Sequence, residues 1–80
     1  MKSDEICDHY AELGVKLTIR SLDEETVLIE GSPDALTFLS KLLQAHVEDK
    51  EDGRQLAPNG PGQVFFTESS TLGLYIHMLP

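Results

Sequence analysis

The apolar positions of this chain change period twice. From Gly14 onward Val15, Leu17 and Ile19 alternate with Lys16, Thr18 and Arg20, the period-2 pattern of a strand with one buried face. The polar group Asp23-Glu24-Glu25 interrupts, and Thr26-Val-Leu-Ile-Glu30 resumes with β-branched character, so a hairpin joins two strands. Gly31 ends the second strand. Ser32 then offers an N-cap oxygen, Pro33 takes the first helical position, where its missing N–H costs nothing, and Asp34 complements the positive end of the helix dipole. Projected at about 100° per residue over 33 to 48, Ala35, Leu36, Leu39, Leu42, Leu43 and His46 form one stripe, with Phe38 and Val47 at its borders. Thr37, Ser40, Lys41, Gln44 and Glu48 fall opposite, so the helix is expected to lie on the sheet.

On either side of this unit the signals are weaker. Residues 1 to 13 have no clean period, and this polar N-terminal segment reads as a frayed start followed by a short helical or irregular piece that holds Ile6, Tyr10 and Leu13. Glu48 to Gly53 ends the helix in charge, and Ala57-Pro-Asn-Gly-Pro-Gly62 is a turn cluster, which predicts a long exposed loop over 50 to 62. Gln63 to Thr67 and Leu72 to Met78 both read as strands, joined by Glu68 to Thr71. The expected fold is α+β in the order β-β-α-β-β: one four-stranded sheet of two hairpins with a single helix packed on one face.

Eighty residues support one domain, because a chain of this size buries only about 60 to 65% of the surface that it exposes unfolded. A core this small also leaves little room for a deep catalytic cleft, so an enzyme is not expected. Fourteen acidic and six basic residues give a net charge of −8, which repels phosphate backbones and anionic lipids and favours a basic partner. Neither nucleic acid nor membrane is expected as a partner. The longest nearly apolar segments, Leu36 to Val47 and Leu72 to Leu79, fall short of the roughly 20 residues that span a bilayer. The acidic N-terminus lacks the basic start and apolar run of a signal peptide, and the single cysteine, Cys7, permits no internal disulfide. A cytoplasmic location is expected.

Candidate chemistry is sparse. Cys7-Asp8-His9 holds three metal-ligand types, but zinc takes about four ligands, so His46 or His77 would have to join them. No glycine-rich oxyanion loop accompanies Cys7 as a nucleophile. His46 falls near a helix C-terminus, where an imidazole suits the dipole and can bond a free carbonyl. Asp49 to Gly53 resembles the start of a calcium loop, yet the sixth residue from Asp49 is Arg54 and the twelfth is Gly60, where an EF-hand needs glycine and glutamate. Gly60-Pro61-Gly62 lacks the lysine and following helix of a phosphate loop. Glu30, at a strand end, is simplest as a surface residue. No cofactor and no catalytic group are expected. The acidic clusters, Asp23, Glu24 and Glu25 with Glu48, Asp49, Glu51 and Asp52, are one candidate partner-binding surface. Tyr75 and His77 are another, on a helix-free sheet face with Phe65, Thr18 and Arg20 as neighbours.

The strand ending Leu28-Ile-Glu-Gly-Ser-Pro-Asp-Ala-Leu36, the helix continuing Phe38-Leu-Ser-Lys-Leu-Leu43, the polar loop, Val64-Phe-Phe66 and the last strand after Glu68-Ser-Ser-Thr-Leu72 resemble the immunity protein 32 family of bacterial polymorphic toxin systems. The resemblance covers about residues 14 to 79 and rests on the strand-to-helix junction and the final strand. It implies a protein that binds and blocks a cognate toxin, and it carries over no site residue. Two other readings accompany it: a regulatory or self-associating domain, homodimeric through its sheet edge, and a metal- or ligand-binding protein using Cys7 and His9 with His46 or His77.

Overall fold

The computed structural model describes residues 2–51 and 53–80. The chain runs α1 (Ser3–Glu12), β1 (Leu17–Ser21), β2 (Val27–Gly31), α2 (Pro33–Glu48), β3 (Arg54–Leu56), a 3-10 turn (Gln63–Phe65) and β4 (Leu74–Ile76). It is an α+β fold with two helices. The strands form two separate antiparallel pairs, β1 with β2 and β3 with β4, in place of the expected four-stranded sheet.

The central unit follows the sequence closely. β1 and β2 pair with Leu17 opposite Gly31, Ile19 opposite Ile29 and Ser21 opposite Val27. Ser32 caps α2 as expected, its hydroxyl accepting the Ala35 N–H at 3.1 Å, with Pro33 at the first helical position. Gly31 lets the helix fold back at close range. A Cβ there would stand 2.9 Å from Ala35 Cβ and 3.1 Å from Leu17 Cδ2, so α2 rests on the face that carries Leu17 and Ile19.

Around this unit the helical form of the N-terminal segment is the one found, and two expectations fail. The N-terminal segment is the helix α1, which buries Ser3, Ile6 and Tyr10 from one side, at spacings of three and four residues. Within the expected 50 to 62 loop, Arg54 to Leu56 forms β3, paired with β4 through Arg54 and Ile76, Gln55 and Tyr75, Leu56 and Leu74. The expected strand at 63 to 67 is instead a single 3-10 turn. Gly62 enters that turn at φ 75°, the Phe65 N–H donates back to Gly62 O at 2.9 Å, and the tight turn pre-empts an extended run.

Because residues 63 to 65 are coiled, the chain reaches β1 only afterwards and pairs with it only in part. Phe66 bridges Leu17 in parallel, the Thr67 N–H donates to Leu17 O at 2.9 Å, and those of Thr71 and Leu72 donate to Ile19 O. Between these bonds Ser70 stands in for backbone: its hydroxyl accepts the Ile19 N–H and donates to Leu17 O, both at 3.1 Å. β1 is thus flanked on both sides, by β2 and by residues 66 to 72.

The second helix also changes how the first-read helix is turned. α2 buries Ala35, Phe38, Leu42, Ala45 and His46, a face rotated by roughly 60° from the expected stripe. Phe38, expected at a border, is wholly buried, stacked on Phe65 at 4.4 Å between centroids and tilted against Tyr10 at 5.4 Å. α1 packs along one flank of α2 and draws it round, while Leu36, Leu43 and Val47 on the opposite flank stay exposed. Phe65, expected on an open sheet face, belongs to the core with Phe66, Leu56, Leu17 and Ile19.

Candidate functional site

The first acidic cluster is a built turn. The N–H groups of Leu22 and Asp23 both donate to Thr26 O, at 2.8 and 3.3 Å, closing the β1–β2 hairpin. Asp23 Oδ1 accepts the Glu25 N–H at 2.8 Å, and Ser21 Oγ donates to Asp23 O at 2.6 Å. The Glu25 N–H, followed by a bond from the Thr26 side chain, holds the Asp23 carboxyl below the usual carboxylate range. Asp23, Glu24 and Glu25 are exposed and line, with Thr26, a shallow depression of their own at the hairpin tip.

The second cluster divides. Glu48 is exposed and accepts a bond from Gln44 Nε2 at 2.9 Å; Asp49 is exposed and caps α2. Glu51 is structural. Its N–H donates to His46 O at 3.1 Å, the residue C″ to C3 bond of a Schellman motif, with Lys50 between them in the left-handed region at φ 53°. Its carbonyl lies 3.0 Å from His46 Nδ1, and its carboxylate accepts the Ser3 hydroxyl. Asp52 lies outside the described residues.

Glu51 therefore belongs to a half-buried polar knot that joins α1, the end of α2 and β3. Arg54 is its centre, donating to Ser3 Oγ at 3.0 Å, to Asp4 Oδ1 at 2.5 Å and to Cys7 Sγ at 3.6 Å. Burial pushes the Cys7 thiol up, against the opposing pull of the Arg54 charge. That keeps the sulfur protonated and a poor nucleophile. Sequence reasoning missed Arg54 and Ser3 altogether; the only signal was the acidic pair Asp4 and Glu5 in the first turn of α1.

His46 is buried with its ring fixed at Nδ1, while Nε2 has no hydrogen-bond partner. His9 is exposed and meets Tyr10 edge-on at 5.0 Å. The imidazoles and the thiol are thus committed to different neighbours, and among the described residues no group of three or more His, Cys, Asp or Glu is placed to hold a metal ion.

Tyr75 is exposed on β4 opposite Gln55, and its hydroxyl lies against Gly53, which brings it beside the loop after α2. His77 is exposed just past β4. Thr18 and Arg20 are not their neighbours on one sheet, since β1 and β4 belong to different pairs. Thr18 bonds Thr67 instead, hydroxyl to hydroxyl at 2.7 Å.

One depression, about 610 Å³, lies between Lys16, Pro58, Gln63 and Glu68, and another, about 400 Å³, opens over the Arg54 knot. Both are wide surface hollows, and Ser3, Asp4, His46, Glu51 and Arg54 line the second. No helix among the described residues is long and apolar enough to cross a membrane.

No family model matches this chain, and no curated protein or solved structure matches it. Its function is argued from its own surface.

Proposed function

We propose that this protein is a protein-binding module that engages a basic partner through its acidic turns. The form we favour is an immunity protein, acting in the cytoplasm to occlude a cognate toxin. The observation that carries the reading is the Asp23–Glu25 turn: three carboxylates on a hydrogen-bonded hairpin tip, all facing water. Among the described residues the ion pair formed is that of Arg54 with Asp4, so these charges are not consumed inside the fold. Glu48 and Asp49 add two more exposed carboxylates at the end of α2.

A net charge of −8 on so small a body sets up a field that speeds encounter with a cationic protein and opposes encounter with nucleic acid or anionic membrane. A rigid turn suits this task because its groups lose little freedom on binding. The resemblance to the immunity protein 32 family supplies the kind of partner.

The test is genetic and then kinetic. If the product of the neighbouring gene arrests growth, co-expression of this chain restores it, and the double charge reversal Glu24→Lys with Glu25→Lys slows association most at low salt. A harmless neighbour, or arrest that co-expression leaves untouched, would remove the immunity reading.

A further inference from the structure

We infer that β2 pairs with β2 of a second copy of this chain, antiparallel and centred on Ile29, so that two protomers share one four-stranded sheet. The surface involved lies apart from the acidic turns and is needed by no step of the reading above.

β1 has neighbours along both edges, whereas among the described residues β2 is bonded along one edge only. Exposed edges are normally guarded by charged side chains, above all lysine, by a proline, by a bulge or by a very short strand; here the one charge is Glu30. Val27-Leu-Ile-Glu-Gly31 has no lysine and no proline, and it pairs with β1 in unbroken register. The side chains beside this edge are apolar and uncovered. Val27 is 55% exposed and Ile29 46%, both on the face that carries α2, and the turned-out flank of α2 adds Leu36 at 44%, Leu43 at 47% and Val47 at 67%. An uncovered apolar band of this kind marks a contact surface. It exists because α1 has drawn the buried face of α2 the other way.

The edge is complementary to itself. Centred on Ile29, an antiparallel pairing sets Val27 against the partner's Gly31 and Leu28 against the partner's Glu30. On the helix face one row then reads Ile19, Ile29, the partner's Ile29, the partner's Ile19, apolar throughout. On the other face the row reads Arg20, Leu28, the partner's Glu30, the partner's Thr18, so each arginine shares a row with a carboxylate of the other copy. Centring on Glu30 would oppose two carboxylates, and a slip that mismatched the pleat would set the two helix layers on opposite faces. The favoured register keeps both α2 helices on one face, with their exposed flanks turned toward the same axis.

A stable interface takes about 800 Å² from each partner, roughly 15% of the 5378 Å² that this chain exposes. The strand edge, about 17 Å long, and the helix flank from Leu36 to Val47, about 16 Å, supply part of that area, and the side chains on either side of them would have to supply the rest.

Position-specific cross-linking tests the pairing. Residues directly opposite in an antiparallel pair have Cα atoms about 4.5 to 5.5 Å apart, within disulfide reach. In a Cys7→Ser background, Ile29→Cys is expected to give a disulfide-linked dimer on mild oxidation. Glu30→Cys is not, because the two copies of residue 30 are offset by about 7 Å along the strands. Without cross-linking, sedimentation equilibrium is expected to show a dimer that strengthens with salt, since the copies repel, and that Ile29→Lys disrupts. A monomer at millimolar concentration in low and high salt overturns the proposal. So does a dimer that links as well through position 30 as through 29. Neither result touches the toxin reading, which growth rescue decides; binding of a basic toxin, moreover, weakens with salt.

Discussion

The Ser70 hydroxyl stands beside Ile19 where a neighbouring strand would place a peptide group, accepting its N–H and donating to the Leu17 carbonyl, each at 3.1 Å. Both backbone groups are buried with β1, so the bonds replace water that cannot reach them. Ser70→Ala leaves the buried Ile19 N–H unpaired, while the Leu17 carbonyl keeps its bond from the Thr67 N–H, and is expected to cost about 1 to 3 kcal/mol. In urea this appears as a lower midpoint with an unchanged slope; a loss under about 0.5 kcal/mol would show that the Ile19 N–H finds another partner.

The turned helix gives a second prediction. Phe38→Ala empties a site between Tyr10 and Phe65 and is expected to cost about 3 to 5 kcal/mol, a large part of the roughly 4 to 12 kcal/mol that a domain of this size holds. Leu43→Ala, in solution dilute enough to keep chains apart, is expected to cost under about 1 kcal/mol, because that side chain is half in water already. Thermal unfolding of the two variants side by side distinguishes this rotation from the stripe that periodicity alone predicts, for which the ranking would be reversed.

Lys50 closes α2 in a left-handed conformation that suits glycine. Lys50→Gly is expected to raise stability by about 0.5 to 1 kcal/mol, while Lys50→Ala gains nothing because it keeps the Cβ. In a domain of this length the glycine variant should melt about 2 to 8 °C higher. A lower melting temperature would mean that the Lys50 side chain makes a contact worth more than the relief of strain.

Asp23 ties the acidic turn to pH. Its folded carboxyl titrates below the ordinary carboxylate range, so its bond to the Glu25 N–H adds stability at neutral pH, present in full above the ordinary value. That contribution is lost as pH falls through the lowered value, when the folded carboxylate takes up its proton. Asp23→Ala is expected to remove this acid-side dependence, and NMR titration of the carboxyl carbons checks it directly. A carboxyl that titrates at the ordinary value would contradict the turn geometry.

How much of this was legible in the sequence depends on how local each determinant is. Ser32 and Pro33 mark the start of α2 because a cap and a missing N–H act within one turn. Ile6 and Tyr10 carried the spacing of α1, but its second face is polar and its anchor, Arg54, lies about fifty residues away. Phe65 and Phe66 look like strand residues by composition; the left-handed Gly62 before them and the Ser70 hydroxyl after them decide otherwise. Glu51 and Asp49 are alike in sequence, yet one is spent on Ser3 and the end of α2, and the other faces water.

The bonds from Thr67, Ser70, Thr71 and Leu72 to β1 have a consequence for the order in which the chain folds. The hairpin and α2 close over a few residues each, whereas these bonds close loops of about fifty, at a far larger cost in chain entropy before any contact forms. Residues 66 to 72 therefore dock late, onto a hairpin already made. Were they to come away, the second edge of β1 would be laid bare while α2 still covered its face.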